Sequence, residues 1–201
     1  MTLLSDERRD RAGVTSAFEV RLTRRQSRRR YRCRMDAPAV VVAWDPGWQR
    51  DFWLVAARLA PVLPAGATVE HVGSTAVSGL AAKPIIDIDV IVPDAATSHA
   101  AVKALERLGY EHREDLGIAG REAFTVLPGL PYHHLYVVIV GNKPLRDHIN
   151  LRDYLRSRPD QAERYANEKR RLAHLLLSDR DEYVRQKGLL VEAFMIEANT
   201  T

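Results

Sequence analysis

From Trp48 onward, apolar residues recur at steps of three and four: Trp48, Phe52, Val55, Leu59 and Val62. That is the period of one buried face of an α-helix. Asp45 followed by Pro46 reads as a helix cap with proline at the first helical position, and Pro64-Ala65-Gly66 ends the pattern. Because Trp48 belongs to this stripe, core packing outweighs a role as a ligand platform. Upstream, Val40 to Trp44 is a short β-rich run. Downstream, Thr68 to Val72 reads as a strand, followed by a Gly73-Ser74 turn that opens what looks like a helix, and small residues continue to Ala82. Pro84 to Val92 is the strongest strand signal in the chain, β-branched almost throughout apart from Asp87 and Asp89.

Asp94 is placed to cap a helix running to about Gly109, with Ala101, Leu105 and Leu108 facing inward. Two further strands are expected over Glu122 to Leu127 and His134 to Val140, separated by the turn chemistry of Pro128-Gly129-Leu130-Pro131. From Pro144 the pattern is helical, in three segments: 145–157, 160–177 and 180–198. Arg158-Pro159 and Ser178-Asp179 mark the breaks. Strands interleaved with helices, then helices alone, predict one α/β (α+β) domain.

Composition changes this picture at one end only. The chain of 201 residues is 46% hydrophobic, enough to build a core, and carries a formal charge of +4. Residues 1–36 hold 11 arginines against 5 acidic residues, whereas residues 37–201 hold 19 basic against 21 acidic groups. The expected folded part, 37–201, is therefore nearly neutral, and the overall charge is silent about its ligand. Arg21 to Arg34 contains eight arginines and few core-forming residues, so 1–36 is expected to be a basic, disordered arm. Such an arm suits nucleic acid or another polyanion through counterion release; otherwise it is a solvated extension, or lies upstream of an alternative first residue at Met35. Cys33 is the single cysteine, so no internal disulfide is expected, and no Cys/His spacing fits structural zinc. No apolar run approaches the roughly 20 residues of a membrane span, and the first residues lack a signal peptide's apolar stretch. The expectation is a soluble, cytoplasmic protein.

Chemistry concentrates at Asp87-Ile88-Asp89. Side chains two apart on a strand share a face, so both carboxylates project together. Like charges there raise each other's pKa and cost desolvation unless a cation or donors compensate. Mg²⁺, which takes one or two carboxylates and completes its shell with water and phosphate oxygens, answers that need. The competing reading is an edge strand whose aspartates sit in water or pair with Arg or Lys. Gly73, Ser74 and Thr75 lie shortly before; glycine permits close approach, and N–H groups at a helix start attract phosphate oxygens.

The stretch Glu70 to Asp89 (EHVGSTAVSGLAAKPIIDID) resembles the signature of the GrpB family. His133 to Val138 agrees with it, as does His148 followed by Leu151 to Pro159, with Tyr165, Lys169, Leu172, Ala173, Tyr183 and Lys187. The resemblance implies a nucleotidyltransferase-like fold, with a small mixed β-sheet flanked by helices and a helical C-terminal region. It also implies that Gly73 and Ser74 match the Gly-Ser element, and Asp87 and Asp89 the paired metal carboxylates. It fixes no substrate. Some family members are fused to dephospho-CoA kinases, but here Gly73 to Gly79 has the wrong spacing for a P-loop and Leu80 stands where lysine should follow.

Active nucleotidyltransferases usually add a third carboxylate on a later strand, where this sequence offers His133 and His134. His134 is the candidate base. Lys83, Arg121, Arg152 and Arg156 are candidate phosphate contacts, each with a surface ion pair or snorkelling as its plainer explanation. His71, on an alternating strand, is expected to point away from the site. Two functions stay open: Mg²⁺-dependent nucleotidyl transfer from a nucleoside triphosphate, and a non-catalytic module binding a nucleotide or phosphorylated small molecule.

Overall fold

The structure is a computed structural model that describes residues 40–200; the arginine-rich arm, Cys33 and Met35 lie outside the described residues. Helix α1 (Gly47–Leu59) leads into strand β1 (Thr68–Val72), a 3₁₀ turn (Ser74–Ala76) and β2 (Ile86–Val92). Helix α2 (Ala95–Leu108), β3 (Arg121–Phe124) and β4 (His133–Ile139) follow. The C-terminal region is helical: α3 (Lys143–Ser157), α4 (Pro159–Arg171), α5 (Leu175–Ser178) and α6 (Arg180–Thr200). The four strands form one mixed sheet in the order β1-β2-β4-β3. β2 pairs antiparallel with β1 and parallel with β4, and β3 pairs antiparallel with β4. β2 is thus an interior strand, and the edge-strand reading of its aspartates does not hold.

Local chemistry sets the element ends. Asp45 Oδ1 accepts from the Gly47 N–H at 2.7 Å, so α1 starts where the Asp-Pro pair predicts, within a residue. Asp94 Oδ1 accepts from the Thr97 N–H at 2.7 Å, and Gly109, at φ 109°, terminates α2 in the left-handed conformation. One side of the sheet packs Ile86, Ile88, Val90, Leu135 and Val137 against Trp48, Phe52, Val55 and Leu59 of α1 and Ala101 and Leu105 of α2. Each large aliphatic side chain fully buried there contributes roughly 1.5–3 kcal/mol. A second cluster joins Val77, Leu80 and Ala81 to Tyr154, Tyr165, Val191 and Phe194 of the C-terminal helices.

Several expectations need correction. Val40 to Trp44 is no strand: Val42 makes only a lone bridge to Ala82, and although Val41 and Trp44 pack on the core, no neighbouring strand pairs along the run. Val62 lies past the end of α1 and is exposed. β3 stops at Phe124 because Thr125 turns to bond Glu111 through both its backbone N–H and its hydroxyl. The helix expected over 160–177 breaks after Arg171, which lets Leu172 and Leu176 pack with Tyr183. Among the described residues no helix is long and apolar enough to cross a membrane.

Candidate functional site

Strand register assembles one polar face. The antiparallel pairing sets Glu70 opposite Asp89 and Val72 opposite Asp87; the parallel pairing sets His134 beside Asp87 and Tyr136 beside Asp89. The two aspartates project on the same side, as the two-residue period requires. His71 points the other way and stacks on Phe52, ring centroids 4.8 Å apart.

Each aspartate is held by an imidazole. His134 Nδ1 lies 2.9 Å from Asp87 Oδ1, and His148 Nδ1 lies 2.8 Å from Asp89 Oδ2. Burial pushes the Asp87 carboxyl up, but the His134 hydrogen bond and the charges of His134, His148 and Lys83 outweigh it, leaving the group below the usual carboxylate range. Burial alone would lower His148; the hydrogen bond and charge of Asp89, with the charge of Asp87, raise it instead. Ionised carboxylates only accept, so both Nδ1 atoms donate.

Gly73 brings the backbone against this pair. At φ 71° it takes a conformation that favours glycine, and a Cβ there would sit 2.3 Å from Asp87 Oδ2. The helix expected to open at Ser74 is a single 3₁₀ turn, too short for an appreciable dipole, so any anion affinity rests on its N–H groups and on side chains. The Ser74 side chain lies close enough to Tyr165 to act on its hydroxyl. Thr75 is buried, and its hydroxyl donates to the Ile85 carbonyl at 3.1 Å while accepting from His71 Nε2 at 3.0 Å. That commits the Thr75 hydroxyl to holding the turn.

The basic candidates divide. Lys83 is half-buried and its charge acts on Asp87. Arg121 stacks over the Tyr136 ring at 4.4 Å, donates to the Asp115 carbonyl at 3.2 Å, and its charge acts on His148. Arg152 and Arg156 share a face of α3, as their spacing predicts, but their donors are spent on protein. Arg152 bonds Glu70 at 2.7 Å, the His71 carbonyl at 3.0 Å and Asp153 at 2.8 Å. Arg156 grips the Ala76 carbonyl through Nε and Nη2 at 3.1 and 2.8 Å. His133 is a satisfied core histidine, donating to the Pro131 carbonyl at 2.6 Å and bonded to the Tyr110 hydroxyl at 2.8 Å.

Sequence reasoning left three groups out of the site: His148, Tyr165 and Lys169. The signals were present. His148 falls with Leu145, Arg152 and Leu155 at helical spacing, and Lys169 completes the buried stripe Ala162, Tyr165, Ala166 of α4.

A cation fits the carboxylate pair. Asp89 is fully buried, and its Oδ1 has no hydrogen-bond partner, a costly state for a carboxylate oxygen. Among the described residues no three His, Cys, Asp or Glu side chains converge as a metal-binding group; a two-carboxylate Mg²⁺ site needs no such group.

Sheet order and the helices packed on it define a mixed α+β domain, with one four-stranded sheet followed by a helical C-terminal region. Within that class, the chain belongs to the GrpB family, whose description, GrpB protein, matches residues 38–197. It is 38% identical over 159 residues to the UPF0157 protein PA4798 of Pseudomonas aeruginosa, covering 75% of this chain and 64% of that protein. The chain therefore spans less than two thirds of that relative's length. Against the UPF0157 protein BH1888 of Halalkalibacterium halodurans it is 35% identical over 170 residues, covering 83% of this chain and 85% of the relative. The crystal structure of the conserved protein GrpB from Enterococcus faecalis superposes with a TM-score of 0.70 at 33% identity, over 79% of this chain and 96% of that one.

Proposed function

We propose that the domain binds a phosphorylated ligand, a nucleoside triphosphate or a phosphorylated small molecule, with Mg²⁺ held by Asp87 and Asp89, and that it transfers a nucleotidyl group. One observation carries this reading: two carboxylates side by side on an interior strand, one with a fully buried oxygen that has no protein partner. Two like charges side by side, one buried and one half-buried, are costly unless a cation meets them. Mg²⁺ bound there would supply neutralisation of phosphate charge. Asp87, held below the usual carboxylate range, is ionised at neutral pH. Gly73 leaves the approach to Asp87 free of side-chain atoms of its own. His134 donates to Asp87 through Nδ1, so in the neutral ring Nε2 is the basic nitrogen; it is buried here, so it would take a proton from an acceptor hydroxyl only once ligand binding opens a path to it. The lone Cys33 can form no internal disulfide, which is compatible with a reducing compartment.

The test is calorimetric titration of ATP with and without Mg²⁺. Asp87→Asn and Asp89→Asn are each expected to weaken the metal-dependent part of binding by about tenfold or more. Unchanged metal-dependent affinity in both variants overturns the assignment.

One observation favours a non-catalytic binding module instead. The β4 residues beside Asp87 and Asp89 are His134 and Tyr136, so that strand adds no third carboxylate. Pyrophosphate release from a triphosphate, across a panel of acceptors, separates the two: a binder releases none.

A further inference from the structure

Helix α4 buries a lysine that the proposed reaction leaves without a task. Lys169 lies in the apolar stripe with Ala162, Tyr165 and Ala166 and is 3% exposed. Its Nζ has no hydrogen-bond partner and sits over the Tyr165 ring, 4.4 Å from the centroid. Taking an ammonium out of water without a hydrogen-bonded counter-ion is costly, and a ring face returns only part of that cost. The surroundings add to it. Burial first, then the charges of Lys187, Arg170 and Lys83, hold the amine well below the ordinary lysine range, with Asp87 acting in the opposite direction. A leucine or methionine at this helical position would fill the stripe with no such penalty.

The position explains the cost. Tyr165, on which Lys169 rests, packs with Val77, Leu80 and Ala81 just after the bend, and Ser74 and the charge of Asp87 both act on its hydroxyl. Lys83, in the segment before β2, and Lys187, on α6, are both half-buried and act on Lys169 from separate parts of the chain. Lys83 and Lys187 thus lie close enough for their charges to act on Lys169, and the charge of Asp87 reaches it as well.

We propose that Lys169 is an anion-binding residue of this pocket, receiving a phosphate of the ligand between its Nζ and Ser74, with Lys83 and Lys187 supplying flanking positive charge. Of the ligands the proposed function allows, a di- or triphosphate presents one phosphate to Mg²⁺ at the aspartates and another to Lys169, so that is the ligand class. The inference rests on the reading of the pocket as a phosphate site and names the group that holds the anion.

Inorganic tripolyphosphate is the probe, titrated calorimetrically into the full chain with and without Mg²⁺. Lys169→Met is expected to weaken binding about tenfold or more in both conditions. Its thermal midpoint without ligand is expected to equal or exceed that of wild type, because a buried amine without a hydrogen-bond partner has been removed. In the wild-type protein, the ¹³Cε resonance of Lys169 is expected to move on addition of tripolyphosphate; a resonance that stays in place overturns the inference even where Lys169→Met fails to fold. A folded Lys169→Met protein with wild-type affinity and a lowered midpoint makes the lysine structural and also overturns it. If Asp89→Asn removes the Mg²⁺-dependent part of binding while Lys169→Met leaves affinity intact, this inference fails and the proposed function stands. Loss of affinity in Lys169→Met with no effect of Asp89→Asn supports the anion site and sinks the metal assignment. Wild-type protein that binds no tripolyphosphate sinks both.

Discussion

Gly73 is where two independent constraints meet in one residue. Its φ of 71° disfavours any side chain, and a Cβ would lie 2.3 Å from Asp87 Oδ2 and 2.9 Å from Asp87 Cβ. Gly79 shares the first constraint, at φ 78°, but a Cβ there would meet nothing within 4 Å. Comparing alanine at the two sites separates backbone strain from the clash. Gly73→Ala has to displace the Asp87 carboxylate and with it the 2.9 Å contact to His134. We expect Gly73→Ala to cost about 1–3 kcal/mol in urea denaturation, more than Gly79→Ala, and to weaken Mg²⁺-dependent ligand binding. Equal losses at both glycines would mean that the contact with Asp87 is immaterial.

At the scale of elements, α3 does two jobs with one face. Leu145 and Leu155 pack inward, while His148 and Arg152 of the same face reach β2 and β1. Arg152 is the fastener: its side chain is 10% exposed and it satisfies both Glu70 and the His71 carbonyl. Removing it leaves the His71 carbonyl without this donor and gives Glu70, 42% exposed, back to water, so Arg152→Ala is expected to cost about 1–2 kcal/mol by denaturant unfolding. Arg152→Lys should recover only part of this, because a single ammonium, unlike the planar fork, cannot hold Glu70 and the His71 carbonyl at one end while also meeting Asp153 as Nε of Arg152 does. Arg156 also grips the 3₁₀ turn but is 44% exposed, and its alanine variant should cost about 1 kcal/mol or less. Full rescue by lysine would show that charge alone, and not the fork, ties α3 to the sheet.

For the whole molecule, buried histidines set the acid limb of stability. Burial holds His71 at about 4, with Arg156 and Arg152 adding to that effect and Asp87 opposing it. An unfolded histidine titrates near ~6.5. Between about pH 6.5 and 4 the unfolded chain therefore binds a proton that the native chain refuses, and stability falls as pH falls through that window. His133, lowered mainly by burial, acts in the same sense. His148 is raised, so its contribution is complete below the unfolded value and fades as pH rises through its folded value. Asp87 is depressed from 3.8, and its contribution disappears only at still lower pH. We expect the thermal midpoint to drop between pH 6.5 and 4, and His71→Gln to remove a component on the order of 3 kcal/mol from that drop. Parallel pH profiles for wild type and variant would rule out His71 as the cause.

The histidines and α3 also show how far local pattern reaches. The helical stripe of α1, the Asp94 cap and the pairing of Asp87 with Asp89 on one face are properties of neighbours along the chain, and short-range periodicity states them directly. The strand proposed over Val40 to Trp44 shows the opposite limit, since a β-rich run becomes a strand only where a neighbouring strand pairs along it. The helix expected over 160–177 shows it again, because packing of Leu172 and Leu176 on Tyr183 decided the break.

Sequence alone determined that two carboxylates would stand together on a buried strand a short distance after a glycine bend, because a strand's alternation and glycine's freedom are local properties. Which groups meet them was decided by tertiary structure. His134 and His148 come from 47 and 59 positions away, and Lys169 comes from a helix beyond both. Their arrival depends on β4 pairing beside β2 and on α3 and α4 docking over the polar face. Those outcomes follow from burying the apolar surface of the whole chain at once, which no window of neighbouring residues encodes.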